Sequence, residues 1–186
     1  SGNLGAAYCG LQLLEREKSV YYMQLQEARK KNKDAVVDFQ PDFSGREYLL
    51  ERQLQPEARG DILKTLRQAG VRPTSMIDIS DGLSSEIMHI CKESDTGCRL
   101  FEKEIPIDYQ TAVMAEEMNM NLSTCALNGG EDYELLFTCP IGDYEKVKEL
   151  DDIRIIGHIT KKELGTLLVT RDGQEFPLKA QGWQHA

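Results

Sequence analysis

The stretch Met76-Ile77-Asp78-Ile79-Ser80-Asp81-Gly82-Leu83 carries three structural signals in a row. An apolar pair leads into two carboxylates with a hydroxyl between them, and a glycine follows. Beyond the glycine, Leu83, Ile87 and Ile90 fall on one helical face, with Ser84, Ser85 and Glu86 between them. The pattern predicts a strand that ends in a tight turn and opens a helix. Carboxylates at such a turn can point outward together, and their hard oxygens suit Mg2+, usually alongside phosphate oxygens. The positive end of the following helix favours the phosphate. The competing reading is that Ser80 or Asp81 caps the helix, the commonest job for these residues in that place.

Working outward, residues 71–79 read as the strand and 83–94 as its helix. Upstream, Leu4, Ala7, Leu11 and Leu14 stand at helical spacing and predict a helix over 4–15. Residues 21–33 extend it and become basic at Arg29, Lys30, Lys31 and Lys33, which reads as a solvated helix end. Residues 32–44 contain Pro41 and little periodicity, so a mobile loop is expected there. Ser44-Gly45-Arg46-Glu47 has capping-box spacing ahead of a short helix. Pro56 breaks that helix, and another runs over 58–69 to Gly70. Arg59 reads as a surface arginine on this helix, with phosphate contact as the alternative.

Downstream, 98–107 reads as a strand, 111–118 as a helix and 122–127 as a short extended piece. A strand is expected over 133–139, a helix over 144–150, and strands over 153–159 and 166–171. Asp172-Gly173 marks a hairpin turn into 175–178. Alternating strands and helices imply an α/β chain of the α+β sandwich kind, a mixed sheet with helices packed on it.

The 186 residues suit one domain with room for a real core. A net charge of −9 argues against non-specific nucleic-acid binding, which calls for a basic face. It leaves nucleotide binding open, because bound metal ions reverse the local sign. No apolar run approaches the roughly 20 residues that span a bilayer, so no membrane partner is expected. Cys9, Cys91, Cys98, Cys125 and Cys139 form no CxxC pair and sit among apolar or small residues. They read as reduced, buried thiols of a cytoplasmic protein. His89, His158 and His185 share no metal-ligand spacing. Neither a Walker A loop nor a serine nucleophile elbow is present.

A second motif, Asn128-Gly129-Gly130-Glu131-Asp132-Tyr133-Glu134-Leu135-Leu136-Phe137, places a glycine turn and acids ahead of a strand. Together with residues 76–83 it resembles the C-terminal half of thiamine-monophosphate kinase, of the superfamily that includes aminoimidazole ribonucleotide synthetase and selenophosphate synthetase. Ser1-Gly2-Asn3-Leu4-Gly5-Ala6-Ala7 is similar to the glycine-rich start of that half, and Gly182-Trp183 to its closing aromatic. The two acidic motifs are long and specific; the opening glycines and the Trp are weak signals alone.

The resemblance implies a C-terminal domain over 1–186, in a kinase whose N-terminal nucleotide- and metal-binding domain lies elsewhere. It implies Mg2+ on Asp78 and Asp81, ATP at Ser80, and thiamine monophosphate at Glu131 and Trp183. Asp132 is an alternative to Glu131, and docking of the C-terminus onto the core is an alternative for Trp183. No side chain is assigned to covalent catalysis, since phosphoryl transfer needs positioning and charge neutralisation above all. A homodimer is implied for the intact enzyme, and negligible turnover for this chain alone. Two other readings compete. One is another ATP-using member of the superfamily, forming an amidine or selenophosphate. The other is a fragment acting only as a ligand-binding module.

Overall fold

The computed structural model describes residues 1–180. Helix α1 (Ala6–Lys31) is continuous through both predicted helical stretches. No glycine or proline interrupts residues 11–31, and Arg29, Lys30 and Lys31 sit where the negative end of the helix dipole favours cations. Residues 32–46 form neither helix nor strand. Helix α2 (Glu47–Leu54) then crosses α1 closely. A Cβ on Gly10 would lie 2.2 Å from the Leu49 carbonyl oxygen, so only glycine permits this approach. The expected capping box is not formed. Arg46 occupies the cap position without a side-chain bond, and the Ser44 amide instead donates to Asp42 Oδ1.

Helix α3 (Gly60–Gln68) ends as the sequence predicts. Gly70 adopts φ +65°, and the Gly70 and Val71 amides donate back to the Arg67 and Leu66 carbonyls. Strand β1 (Ser75–Asp78) is shorter than expected because Pro73 has no amide to donate. It leads through the glycine turn into α4 (Leu83–Glu93). Strand β2 (Thr96–Phe101) gives way to a 3-10 turn at Glu102–Glu104. Helix α5 (Tyr109–Glu117) follows, capped by Asp108, whose side chain accepts from the Gln110 amide.

Residues 122–127, expected to be extended, lie in helix α6 (Leu122–Asn128). Asn121 caps it, taking the Thr124 amide at 2.9 Å and its hydroxyl at 3.0 Å, while Cys125, Ala126 and Leu127 are buried. Strand β3 (Leu135–Thr138), helix α7 (Tyr144–Lys148) and strands β4 (Gly157–Lys161), β5 (Thr166–Val169) and β6 (Glu175–Pro177) complete the described chain. β4 starts later than predicted. The half-buried Ile153 and Ile155 pack against the core of α3 and α7 instead of pairing in the four-stranded sheet.

β1 and β3 pair antiparallel, Asp78 opposite Leu135 and Ser75 opposite Thr138. The second sheet has the order β4-β2-β5-β6, with β2 and β5 parallel and the other pairs antiparallel. Helices packed on these sheets make the α+β fold expected from the sequence. One core joins α4 to both sheets through Ile79, Leu83, Ile87, Leu100 and Leu136. A second gathers Ala6, Cys9 and Leu13 of α1 against Leu49, Met114 and Cys125. All five cysteines are free thiols, four of them buried and Cys139 half-buried. Among the described residues, no helix is long and apolar enough to cross a membrane.

Candidate functional site

Alternation along β1 sorts its side chains. Ile77 and Ile79 pack into the core, whereas Asp78 is exposed and Ser80 half-exposed. The turn that follows is built on Gly82, at φ +116°. A Cβ there would meet the Leu127 carbonyl oxygen at 2.7 Å, so the glycine seats the start of α4 against the end of α6. Gly82 is itself the cap residue, and no side chain caps the helix. The capping reading of Ser80 and Asp81 is therefore set aside. Asp81 is exposed, and among the described residues neither the Asp78 nor the Asp81 carboxylate takes a hydrogen bond or ion pair.

The Gly129-Gly130-Glu131 segment lies directly against this turn. The Glu131 amide donates to the Ser80 carbonyl at 2.7 Å, the Tyr133 amide to the Ile79 carbonyl at 2.8 Å, and the Ile79 amide to the Glu134 carbonyl at 2.8 Å. Gly130, at φ +72°, leaves space that a Cβ would close, 2.7 Å from the Ser80 carbonyl oxygen. Glu131 and Tyr133 hold left-handed backbone, at φ +62° and +50°. This conformation is uncommon for non-glycine residues and tends to gather at functional loops. The exposed Glu131 carboxylate accepts from the Tyr133 hydroxyl at 2.9 Å. That bond and the Glu131 charge hold the Tyr133 phenol above its usual pKa, and the charges of Asp78 and Asp81 add to the effect. The two motifs thus form one open acidic face.

Among the described residues, no group of three or more His, Cys, Asp or Glu side chains is arranged to hold a metal ion. Two exposed, unpaired carboxylates still fit Mg2+. That ion keeps several waters and takes one or two protein carboxylates together with phosphate oxygens. A cavity of about 340 Å3 lies elsewhere, between β3 and residues 153–159; Ile79 lines it, but Asp78, Ser80, Asp81 and Glu131 do not. Trp183 and His185 lie outside the described residues. His89 and His158 are exposed, the latter tilted against Phe101.

Sequence reasoning missed the burial of three acids, one of them Asp132, the alternative contact to Glu131. Glu86, 2% exposed, accepts from the Asp81 amide at 3.0 Å and the Ser80 hydroxyl at 3.4 Å. Its burial pushes the carboxyl above its usual pKa, against the pull of the Asp81 amide. Glu134, 1% exposed, lies between Arg52 (3.1 Å) and Arg59. Arg59 is accordingly not a surface arginine; it precedes α3 and pairs with Glu134 and Asp61. Asp132, 1% exposed, accepts the Gly5 amide at 2.9 Å at the start of α1, while its Oδ1 has no partner. In this chain Asp132 serves the helix and is not an exposed contact.

Burial raises the Asp132 carboxyl to about 7 from 3.8, against the Gly5 amide and Arg52, which lower it. The folded chain then keeps a proton that the unfolded chain releases near 3.8. Folding takes up that proton between the two values, so stability falls as pH rises through this window and is unaffected by this group at lower pH. Asp132→Asn keeps an acceptor for Gly5 and removes the titration. Relative to wild type, it is expected to gain on the order of 2 kcal/mol between about pH 5 and pH 8 in urea unfolding. Equal slopes for the two proteins would remove Asp132 as the source.

No family model matches the chain. Curated relatives named thiamine-monophosphate kinase match it, two of them as follows. The one from Aquifex aeolicus (strain VF5) is 29% identical over 185 residues, covering 100% of this chain. That from Pyrococcus abyssi (strain GE5 / Orsay) is 34% identical over 143 residues, covering 73% of this chain. A solved structure of AaThiL complexed with AMPPCP and TMP is 29% identical, with a TM-score of 0.71 over 100% of this chain. The hydrogenase maturation protein HypE of E. coli, 15% identical with a TM-score of 0.60 over 98% of this chain and 48% of its own, shares the fold. The chain is similar from end to end to proteins of this kind, yet it spans about half the length of the curated relatives it matches, 50% and 42% in these two cases.

Proposed function

We propose that this chain is the C-terminal half of an ATP- and Mg2+-dependent kinase that phosphorylates thiamine monophosphate to thiamine diphosphate by direct in-line transfer. The observation that carries this reading is the 2.7 Å bond from the Glu131 amide to the Ser80 carbonyl, which fuses two motifs distant in sequence into one acidic face. The relatives named thiamine-monophosphate kinase, and the complex of AaThiL with AMPPCP and TMP, support the substrate pair.

In this reading Asp78 and Asp81 hold Mg2+, which neutralises phosphate charge when bound. Ser80, at the lip of the same turn, meets ATP, and Glu131 and Trp183 meet thiamine monophosphate. Glu131 supplies negative charge toward a cationic thiazolium, and Tyr133 fixes the direction of its carboxylate through their hydrogen bond. The face is open: Asp78, Asp81 and Glu131 are exposed, and they do not line the 340 Å3 cavity. An open face supports a site completed by an N-terminal domain. Residues 32–44 are proposed as a mobile loop, supported by their lack of helix or strand. A homodimeric, cytoplasmic intact enzyme belongs to the same proposal.

The test is steady-state kinetics of the intact enzyme. Glu131→Gln and Trp183→Ala are each expected to raise KM for thiamine monophosphate several-fold and to leave KM for ATP nearly unchanged. One lost aromatic contact is worth about 0.5–1.5 kcal/mol beyond area burial. Equal effects on both substrates would make these residues general packing groups. Turnover of another acceptor from a panel, with none of thiamine monophosphate, would overturn the reading. Isothermal titration of this chain with thiamine monophosphate, with and without Mg-ATP, separates a binding module from a catalyst.

A further inference from the structure

Glu86 is an acid where the helical pattern asks for none. It stands in the first turn of α4 between Leu83 and Ile87, both buried, and is itself 2% exposed. Helical spacing puts Glu86, three residues after Leu83, at the edge of the apolar face, and the structure buries it together with Ser84 and Ser85. A carboxylate removed from water is costly unless hydrogen-bonded, and among the described residues only Oε1 of this one is satisfied. Oε1 takes the Asp81 amide at 3.0 Å and the Ser80 hydroxyl at 3.4 Å, while Oε2 is buried without a partner. An apolar residue would fill this space without that cost. What the carboxylate adds is a fixed anchor beneath the peptide that carries Asp81.

We infer that Glu86 is a positioning residue, holding the Ser80–Asp81 peptide so that the Asp81 carboxylate and the Ser80 side chain face the phosphate end of the site. Two geometric features support it. First, the anchor acts on the backbone amide of Asp81, so it fixes the Cα–Cβ direction of that residue and leaves its carboxylate free. Second, the other side of the same turn is held by the Glu131 amide on the Ser80 carbonyl. The Ser80–Asp81 peptide is therefore held at both of its polar groups, its N–H by the Glu86 carboxylate and its C=O by the Glu131 amide.

This inference rests on the kinase reading for its kinetic arm and is independent of it for its structural arm. In the intact enzyme, Glu86→Gln keeps an acceptor oxygen for the Asp81 amide, whereas Glu86→Ala and Glu86→Leu remove it. Leu fills the volume and is the variant to use should Ala fail to fold. Hydrogen exchange at the Asp81 amide is expected to quicken at least about tenfold in the Ala or Leu variant and to stay near wild type in the Gln variant. In parallel, the Mg2+ concentration for half-maximal turnover is expected to rise roughly 10–100-fold in Ala or Leu and to be rescued by Gln, with KM for thiamine monophosphate unchanged. Unchanged Asp81 exchange in the Ala or Leu variant would overturn the inference. So would a Gln variant as impaired as Ala, or an equal shift in both substrate constants. Failure of the kinase reading looks different: wild type itself would show no Mg2+-dependent transfer to thiamine monophosphate, while the exchange pattern would still decide the role of Glu86.

Discussion

Asp78→Asn and Asp81→Asn, each made in the intact enzyme, are expected to lower turnover by roughly a hundredfold or more while the melting temperature stays near wild type. A bound metal supplies several kcal/mol of transition-state charge stabilisation, and each ~1.4 kcal/mol lost is a tenfold fall in rate. Stability should be spared because both side chains are exposed, and among the described residues neither carboxylate accepts a hydrogen bond or an ion pair. The informative readout is the dependence on Mg2+ concentration, which should shift in the same direction as kcat falls. Normal kinetics with a lowered melting temperature would make the acids structural and remove the metal reading.

The strand–turn–helix at residues 75–93 was legible because each of its signals is local: alternation before the turn, a glycine in it, helical spacing after it. The same holds for the end of α3 at Gly70 and for the hairpin at Asp172-Gly173. What escaped was tertiary. Helix α6 read as extended because six residues cannot establish a period, although Asn121 ahead of Ser123 and Thr124 offered a cap signal. Glu86 read only as one of the polar residues between Leu83 and Ile87, since spacing counts apolar positions and cannot see that the turn folds back over it. Arg59 and Glu134 meet across 75 residues of sequence, and nothing near either one announces the other. Asp132 and Glu131 are adjacent and chemically alike. Only the left-handed backbone at Glu131, which turns one outward while its neighbour enters the core, separates their roles.

Glu134→Gln is expected to lower the stability of the folded chain by about 3 kcal/mol, at the lower end of the ~3–5 kcal/mol typical of breaking a buried ion pair from one side. Glu134 is the carboxylate on which two elements converge. Arg52 of α2 reaches Oε1 at 3.1 Å and also donates to the Asp132 carbonyl at 2.8 Å, and Arg59 ahead of α3 reaches Oε2. Gly2 passes so close that a Cβ would lie 2.2 Å from Glu134 Oε1, so the site has no slack for water to replace the lost charge. The amide of Gln can accept from only one arginine and points an NH2 group at the other. Arg59 keeps Asp61 at 2.9 Å and Arg52 keeps the Asp132 carbonyl, which is why the lower end of the range applies. Two residues away, Asp132→Asn should do the opposite at neutral pH, because that acid is buried against a backbone amide and carries a cost that grows with its ionisation. Opposite signs for two buried acids on one short segment would identify full charge compensation, not burial alone, as what decides their contribution. A loss below about 1 kcal/mol for Glu134→Gln would instead place the pair among exposed salt bridges, and would release α2 and α3 from any part in holding the Gly130-Glu131 loop in place.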